Sequence, residues 1–138
     1  MKQLLLLLAL ILALGSTGKA QQPQCPDSMP TLHTWDLYRS FGLFKSCDDG
    51  AYAEGYSESV ARILVDRWTT LPRLCFLGTK NGAFRKFVLK HVDGTLDTKD
   101  IETIKTNAKT RCPHGLQSLC ADLEKQANAA LKDAGAGD

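Results

Sequence analysis

Apolar positions recur along this chain at helical spacing. The clearest stretch runs from Gly50 to Trp68, where Tyr52, Tyr56, Val60, Ile63, Leu64 and Arg67/Trp68 follow a four-four-three step. That is the stripe of an amphipathic helix. Pro72 stops it. A shorter element precedes it, Trp35 to Phe44, which Thr34 can cap and which carries Leu37, Tyr38 and Phe41 on one side. Asn81 opens a third helix with Phe84, Phe87, Val88 and Val92, ended by Asp93-Gly94. Asp97 caps a fourth, with Asp100 three residues on as a near capping box and Ile101, Ile104 and Ala108 inward. Pro113 starts a fifth, striped by Leu116, Leu119, Cys120, Leu123, Ala127 and Leu131. No segment alternates as a strand should, and Leu74 to Leu77 is a short ambiguous run. The pattern predicts a small all-α bundle of about five helices with short turns and antiparallel neighbours. Within it, Tyr56 is expected against the fourth or fifth helix, with Gly55 admitting a neighbouring backbone.

The first twenty residues are different in kind. Met1 and Lys2 form a weakly basic head, Leu4 to Leu14 is an unbroken apolar run, and Gly18-Lys19-Ala20 places small residues for cleavage after Ala20. This is the layout of a secretory signal peptide. A run of that length is too short to span a bilayer, which needs about 20 residues. The expected organisation is therefore 1–20 as signal and 21–138 as a single helical domain. A loose lead and a loose tail, Ala134 to Asp138, flank that domain, which is exported across the inner membrane and most simply periplasmic.

Export changes the charge reading. The chain carries 17 Lys+Arg against 15 Asp+Glu. Lys2 and Lys19 leave with the signal, so the mature balance is 15 against 15 and nearly neutral. Such a protein has no bulk attraction to nucleic acid or to an anionic membrane, and neither is expected as a partner.

All five cysteines, Cys25, Cys47, Cys75, Cys112 and Cys120, lie in the mature part. In an oxidising compartment they read as up to two disulfides and a remaining thiol. Cys112 and Cys120 are eight residues apart, and on one continuous helix they would stand about 12 Å apart, too far to bridge. Cys-Pro-His at 112–114 lacks the paired Cys-x-x-Cys knuckle of a zinc site, so no metal is expected.

Candidate chemistry is sparse. None of His33, His91 and His114 has a nucleophile motif beside it, and disulfides consume the thiolates that cysteine catalysis needs. Glu54 and Glu58 are i, i+4, but with Arg62 a further turn on they read as a solvated, ion-paired helix face. Arg85, Lys86 and Lys90 suit a phosphate, yet they flank Phe84, Phe87 and Val88 as the wet side of the same helix. Asp93-Gly94-Thr95-Leu96-Asp97 resembles half a calcium loop. Counted from Asp93, position six is Thr98 rather than Gly and position twelve is Ile104 rather than Glu, which excludes calcium. No cofactor and no enzymatic activity are expected.

One longer arrangement is more specific. Cys47-Asp48-Asp49-Gly50-Ala51-Tyr52-Ala53-Glu54-Gly55-Tyr56 leads into an apolar helix. Cys75-Phe76-Leu77 follows, then a helix with Phe84-Arg85-Lys86-Phe87-Val88, then a helix ending at Cys112. This resembles the Rap/Tai immunity proteins, which neutralise peptidoglycan amidase toxins delivered by type VI secretion. The resemblance covers about Phe44 to Cys112. It departs from the family pattern at Ala53, where a Cys is often found, at the Pro missing after Cys75, and in the additional Cys25 and Cys120.

The resemblance implies a periplasmic, non-enzymatic inhibitor whose partner is a cell-wall amidase effector. The alternative is a small periplasmic helical binding or chaperone module without a toxin partner, and a homodimer is left open. A helical hairpin between Cys75 and Cys112 would bring its ends together, so these two are expected to pair. The second bridge is then Cys25–Cys120 or Cys47–Cys120. The expected contact surface is the polar turn Asp93, Gly94, Thr95 and Asp97, where Gly94 would let the backbone protrude into a cleft.

Overall fold

The computed structural model describes residues 24–135. The proposed signal segment lies outside the described residues. Among those residues the chain is all helical, with six α-helices and two short 3-10 turns. In chain order they are α1 (Leu37–Phe44), α2 (Gly50–Asp66), α3 (Leu71–Lys80), α4 (Gly82–Lys90), α5 (Thr98–Thr110) and α6 (Gln117–Asp133). No described helix is long and apolar enough to cross a membrane.

The helix beyond the five expected is α3, formed by the ambiguous Leu74 to Leu77 run. Trp68–Thr70 tightens into a 3-10 turn after α2, and Pro72 sits in the first turn of α3. Proline is well placed there, because its missing N–H has no intrahelical partner in any case. Pro72 therefore starts a helix as well as marking the end of one. Asn81 ends α3 and caps α4, its side chain accepting from the N–H groups of Ala83 at 3.1 Å and Phe84 at 3.3 Å. Asp97 caps α5 by accepting from Lys99 N–H at 2.8 Å, as its position suggested.

The helices pack as hairpins, α3 on α4 and α5 on α6, with α2 lying against α5 and α4 against α6. Every apolar residue of the α2 stripe from Tyr52 to Trp68 is buried, whereas Arg67 is exposed. Trp68 donates its indole N–H to the Arg111 carbonyl at 2.8 Å. Helix α1 lays aromatic rings on α4. Phe84 meets Tyr38 edge-on at 4.9 Å between ring centroids, and Phe87 lies 4.9 Å from Phe41. Such pairs add about 0.5–1.5 kcal/mol each beyond their burial.

Tyr56 is fully buried, but its aromatic and hydrogen-bonding partners do not lie on the expected fourth and fifth helices, which are α5 and α6 here. Its ring stands edge-on to Phe87 of α4 at 4.7 Å, and its hydroxyl donates to the Ser40 carbonyl of α1 at 3.2 Å. Burial raises its pKa above the ordinary tyrosine value, against a lowering by the hydrogen bond to Ser40. The neighbouring Gly55 does admit a backbone, and that backbone is the lead segment at Met29.

The disulfides differ from the expected pairing. Cys25 bonds Cys47 with Cα atoms 5.5 Å apart, and Cys112 bonds Cys120 with Cα atoms 6.0 Å apart. Cys75, expected on Cys112, is a free, half-buried thiol on α3. Neither Cys25–Cys120 nor Cys47–Cys120 forms. The reason is local. The fifth predicted helix does not start at Pro113. Pro113 to Leu116 is a turn, closed by Leu116 N–H on the Pro113 carbonyl at 3.1 Å, and the helix begins at Gln117. The chain thus doubles back, and cysteines that a continuous helix would hold apart come within bridging distance.

Candidate functional site

Of the three histidines, His33 and His114 are exposed, while His91 is buried at 2% exposure. It sits one residue past α4, held by Phe87 of the same helix at 4.4 Å and by Tyr56 of α2 at 5.6 Å between ring centroids. A polar group in such a place must find partners or pay a desolvation cost. Its polar surroundings come from three segments. Nδ1 lies 2.9 Å from the Ser57 hydroxyl on α2. Ser57 Oγ in turn donates to Asp93 Oδ2 at 2.9 Å, at the start of the turn between α4 and α5. Nε2 lies 3.1 Å from Oδ1 of Asp48, just ahead of α2. Asp48 Oδ2 also holds Lys90 Nζ at 2.7 Å.

The result is a four-membered chain, Asp48–His91–Ser57–Asp93, that joins the segment before α2, α2 itself, and the α4–α5 turn. Burial is the main influence on His91 and lowers its pKa below 6.5; Asp48 and Asp93 oppose this, while Lys90 adds to it. The residue types are those of a nucleophilic triad, but the arrangement is not. Ser57 is 3% exposed and aims its proton at a carboxylate, so it offers no hydroxyl to a substrate.

Asp93 also organises the turn expected to contact a partner. Its Oδ1 accepts from both the backbone N–H and the hydroxyl of Thr95, the former at 2.8 Å. Gly94 does not protrude. A Cβ there would stand 3.0 Å from Asp133 Cβ and 3.3 Å from the Ala130 carbonyl, so the glycine is pressed against the end of α6. Asp93 and Gly94 are half-buried, and only Thr95 and Asp97 of the four face solvent. Thr95 and the buried Leu96 border a shallow depression of about 270 Å³ with Glu54, Ser57 and Glu58 of α2.

The two other charged groups singled out in the sequence have structural partners. Arg62 forms ion pairs with Glu58 at 3.0 Å and Asp66 at 3.5 Å along α2, and reaches across to hydrogen-bond Asp100 of α5. Arg85 pairs with Asp122 of α6 at 2.6 Å and Lys90 with Asp48, so two of the three basic residues of α4 are tied to its neighbours, while Lys86 is exposed. Among the described residues no cluster of three or more His, Cys, Asp and Glu side chains is placed to hold a metal ion.

Sequence reasoning missed the His91 chain altogether. Ser57 falls one residue off the apolar stripe and Asp48 belongs to a different segment. The one local signal was His91 itself, next to the apolar Val92 at the end of an aromatic-rich helix. No family model, no curated protein and no solved structure matches this chain. The fold defines it as a small, disulfide-stapled all-α protein.

Proposed function

We propose that this chain is an exported immunity protein that binds and inhibits a peptidoglycan amidase toxin of a type VI secretion system. The observation that carries the reading is the Cys47 to Tyr56 stretch that resembles the Rap/Tai proteins. Cys47 is stapled to Cys25, Asp48 meets His91, and Tyr56 fills the core between α1 and α4. Two disulfides suit an oxidising compartment, as a periplasmic protein requires. They also hold the lead and the α5–α6 junction in place before any partner arrives, which lowers the entropic cost of association. The Asp93 turn is fixed in the same way, by bonds to Ser57 and Thr95. Its solvent-facing residues, Thr95 and Asp97, are the contact points assigned to the amidase.

Directing a type VI amidase from the same genome to the periplasm of a sensitive host tests this reading. Cells that also export this chain survive, and cells without it lyse. Equal lysis in both would reject the immunity function.

A further inference from the structure

The Asp48–His91–Ser57–Asp93 chain has three contacts to fill with protons. They are Asp48 to Nε2 at 3.1 Å, Nδ1 to Ser57 Oγ at 2.9 Å, and Ser57 Oγ to Asp93 at 2.9 Å. A neutral imidazole brings one N–H and the serine one O–H, while carboxylates bring none. Two protons cannot serve three contacts, so one contact must set acceptor against acceptor. The geometry shows which. Ser57 is bonded on both sides, whereas His91 Nε2 and Asp48 Oδ1 are both buried and have no hydrogen-bond partner despite their closeness. They lie off the line that a donated hydrogen would take, so a bond between them requires the Asp48 carboxylate and the ring to realign.

We propose that this chain is a built-in proton site: a single proton taken up from solvent onto His91 Nε2 completes the chain by forming an Nε2–H···Oδ1 bond to Asp48. In the neutral protein Nδ1 carries the ring proton and donates to Ser57, which donates to Asp93, and Nε2 is bare. After uptake the imidazolium lies between two carboxylates, Asp48 from ahead of α2 and Asp93 from the α4–α5 turn. Lys90 opposes the added charge from the end of α4, and Tyr56 and Phe87 supply the uncharged walls. Burial works against the charged ring and places uptake on the acid side of 6.5.

The site has consequences for the segments it joins. Asp48 directly follows Cys47, the anchor of the disulfide-held lead, and Asp93 starts the turn whose Thr95 and Asp97 are exposed. Uptake of the proton therefore ties the residue beside the lead anchor to a ring that already reaches this turn through Ser57. The inference stands independently of whether an amidase is the partner.

Nitrogen-15 NMR of the His91 ring in the disulfide-bonded protein tests it directly. In mildly alkaline solution Nδ1 should be protonated and Nε2 bare, the reverse of the tautomer preferred by free histidine. On acidification Nε2 should gain a single proton with a midpoint below 6.5. A ring carrying its proton on Nε2 in alkaline solution, or one taking up no proton before the protein unfolds, would overturn the proposal. Asp48→Asn is the second arm, because its amide can donate to the bare Nε2 while removing the carboxylate that welcomes the proton. The midpoint should drop by about one unit or more, and an unchanged midpoint would also overturn the proposal.

Discussion

Gly55 of α2 lies directly against Met29 of the lead: a Cβ at position 55 would stand 2.7 Å from the Met29 carbonyl oxygen and 2.9 Å from its Cβ. Both are closer than real side chains approach, and one of the two obstacles is backbone. The contact is fixed on both sides. Ser59 of the same helix accepts the N–H of Leu32 at 2.9 Å, and the Cys25–Cys47 bridge ties the start of the lead to the residues before α2. Gly55→Ala should therefore destabilise by about 1–3 kcal/mol through overpacking. Glu58→Ala on the exposed face should stay within about 0.5 kcal/mol. Denaturant unfolding of the two variants separates them, and equal midpoints would place the lead away from α2.

The disulfides give a second prediction. Replacing Cys25 and Cys47 together by Ser releases a loop of 22 residues, worth about 3 kcal/mol on the chain-entropy model. Cys75→Ser should cost much less, because that thiol is unbridged and half-buried. Peptide mapping under non-reducing conditions should recover the 25–47 and 112–120 pairs. A peptide joining Cys75 to Cys112 would refute the described pairing.

Much of this fold was legible in the chain because its stripes are long and its caps are chemically distinct. Asn81 begins a helix and Asp97 caps one where expected, and the α2 stripe is buried as its period required. The misreadings share a cause. A proline ends one element and can begin the next, so in the sequence Pro72 hides α3 and Pro113 hides the turn that lets Cys112 reach Cys120. The site was less legible than the fold, since Ser57 and His91 stand 34 residues apart in sequence and only folding brings the 48–57 and 91–93 stretches together. Gly94 shows the same limit: its small size serves a close approach to α6, which no local pattern reveals.

Stability should depend on pH through His91. Its folded-state pKa is lowered, mainly by burial, while the unfolded chain titrates near 6.5. Between those values the unfolded state binds more protons, so stability falls as pH drops below about 6.5, and the fall ends once the folded-state value is passed. Denaturation midpoints measured across this range should show the decline, and His91→Gln should flatten it. A decline of the same size in the variant would assign it to other groups.

Arg62 should matter more to stability than its place on a charged face suggests. It joins α2 to α5 through Asp100, and both side chains are mostly shielded, at 23% and 19% exposure. Asp100→Ala should cost about 1–3 kcal/mol, the range for hydrogen bonds to charged groups that lose a partner. Asp66→Ala, which removes the longer and more exposed contact along α2, should cost under about 1 kcal/mol. Equal effects in thermal unfolding would deny the α2–α5 tie.

The proposed immunity function is tested most directly by titrating this protein into a purified type VI amidase from the same genome and following peptidoglycan cleavage. Cleavage should fall to zero near one equivalent, and a Thr95/Asp97 double alanine variant should inhibit more weakly while melting at nearly the same temperature. Undiminished cleavage in molar excess of the protein would contradict the account, and full inhibition by the double variant would move the contact away from the turn.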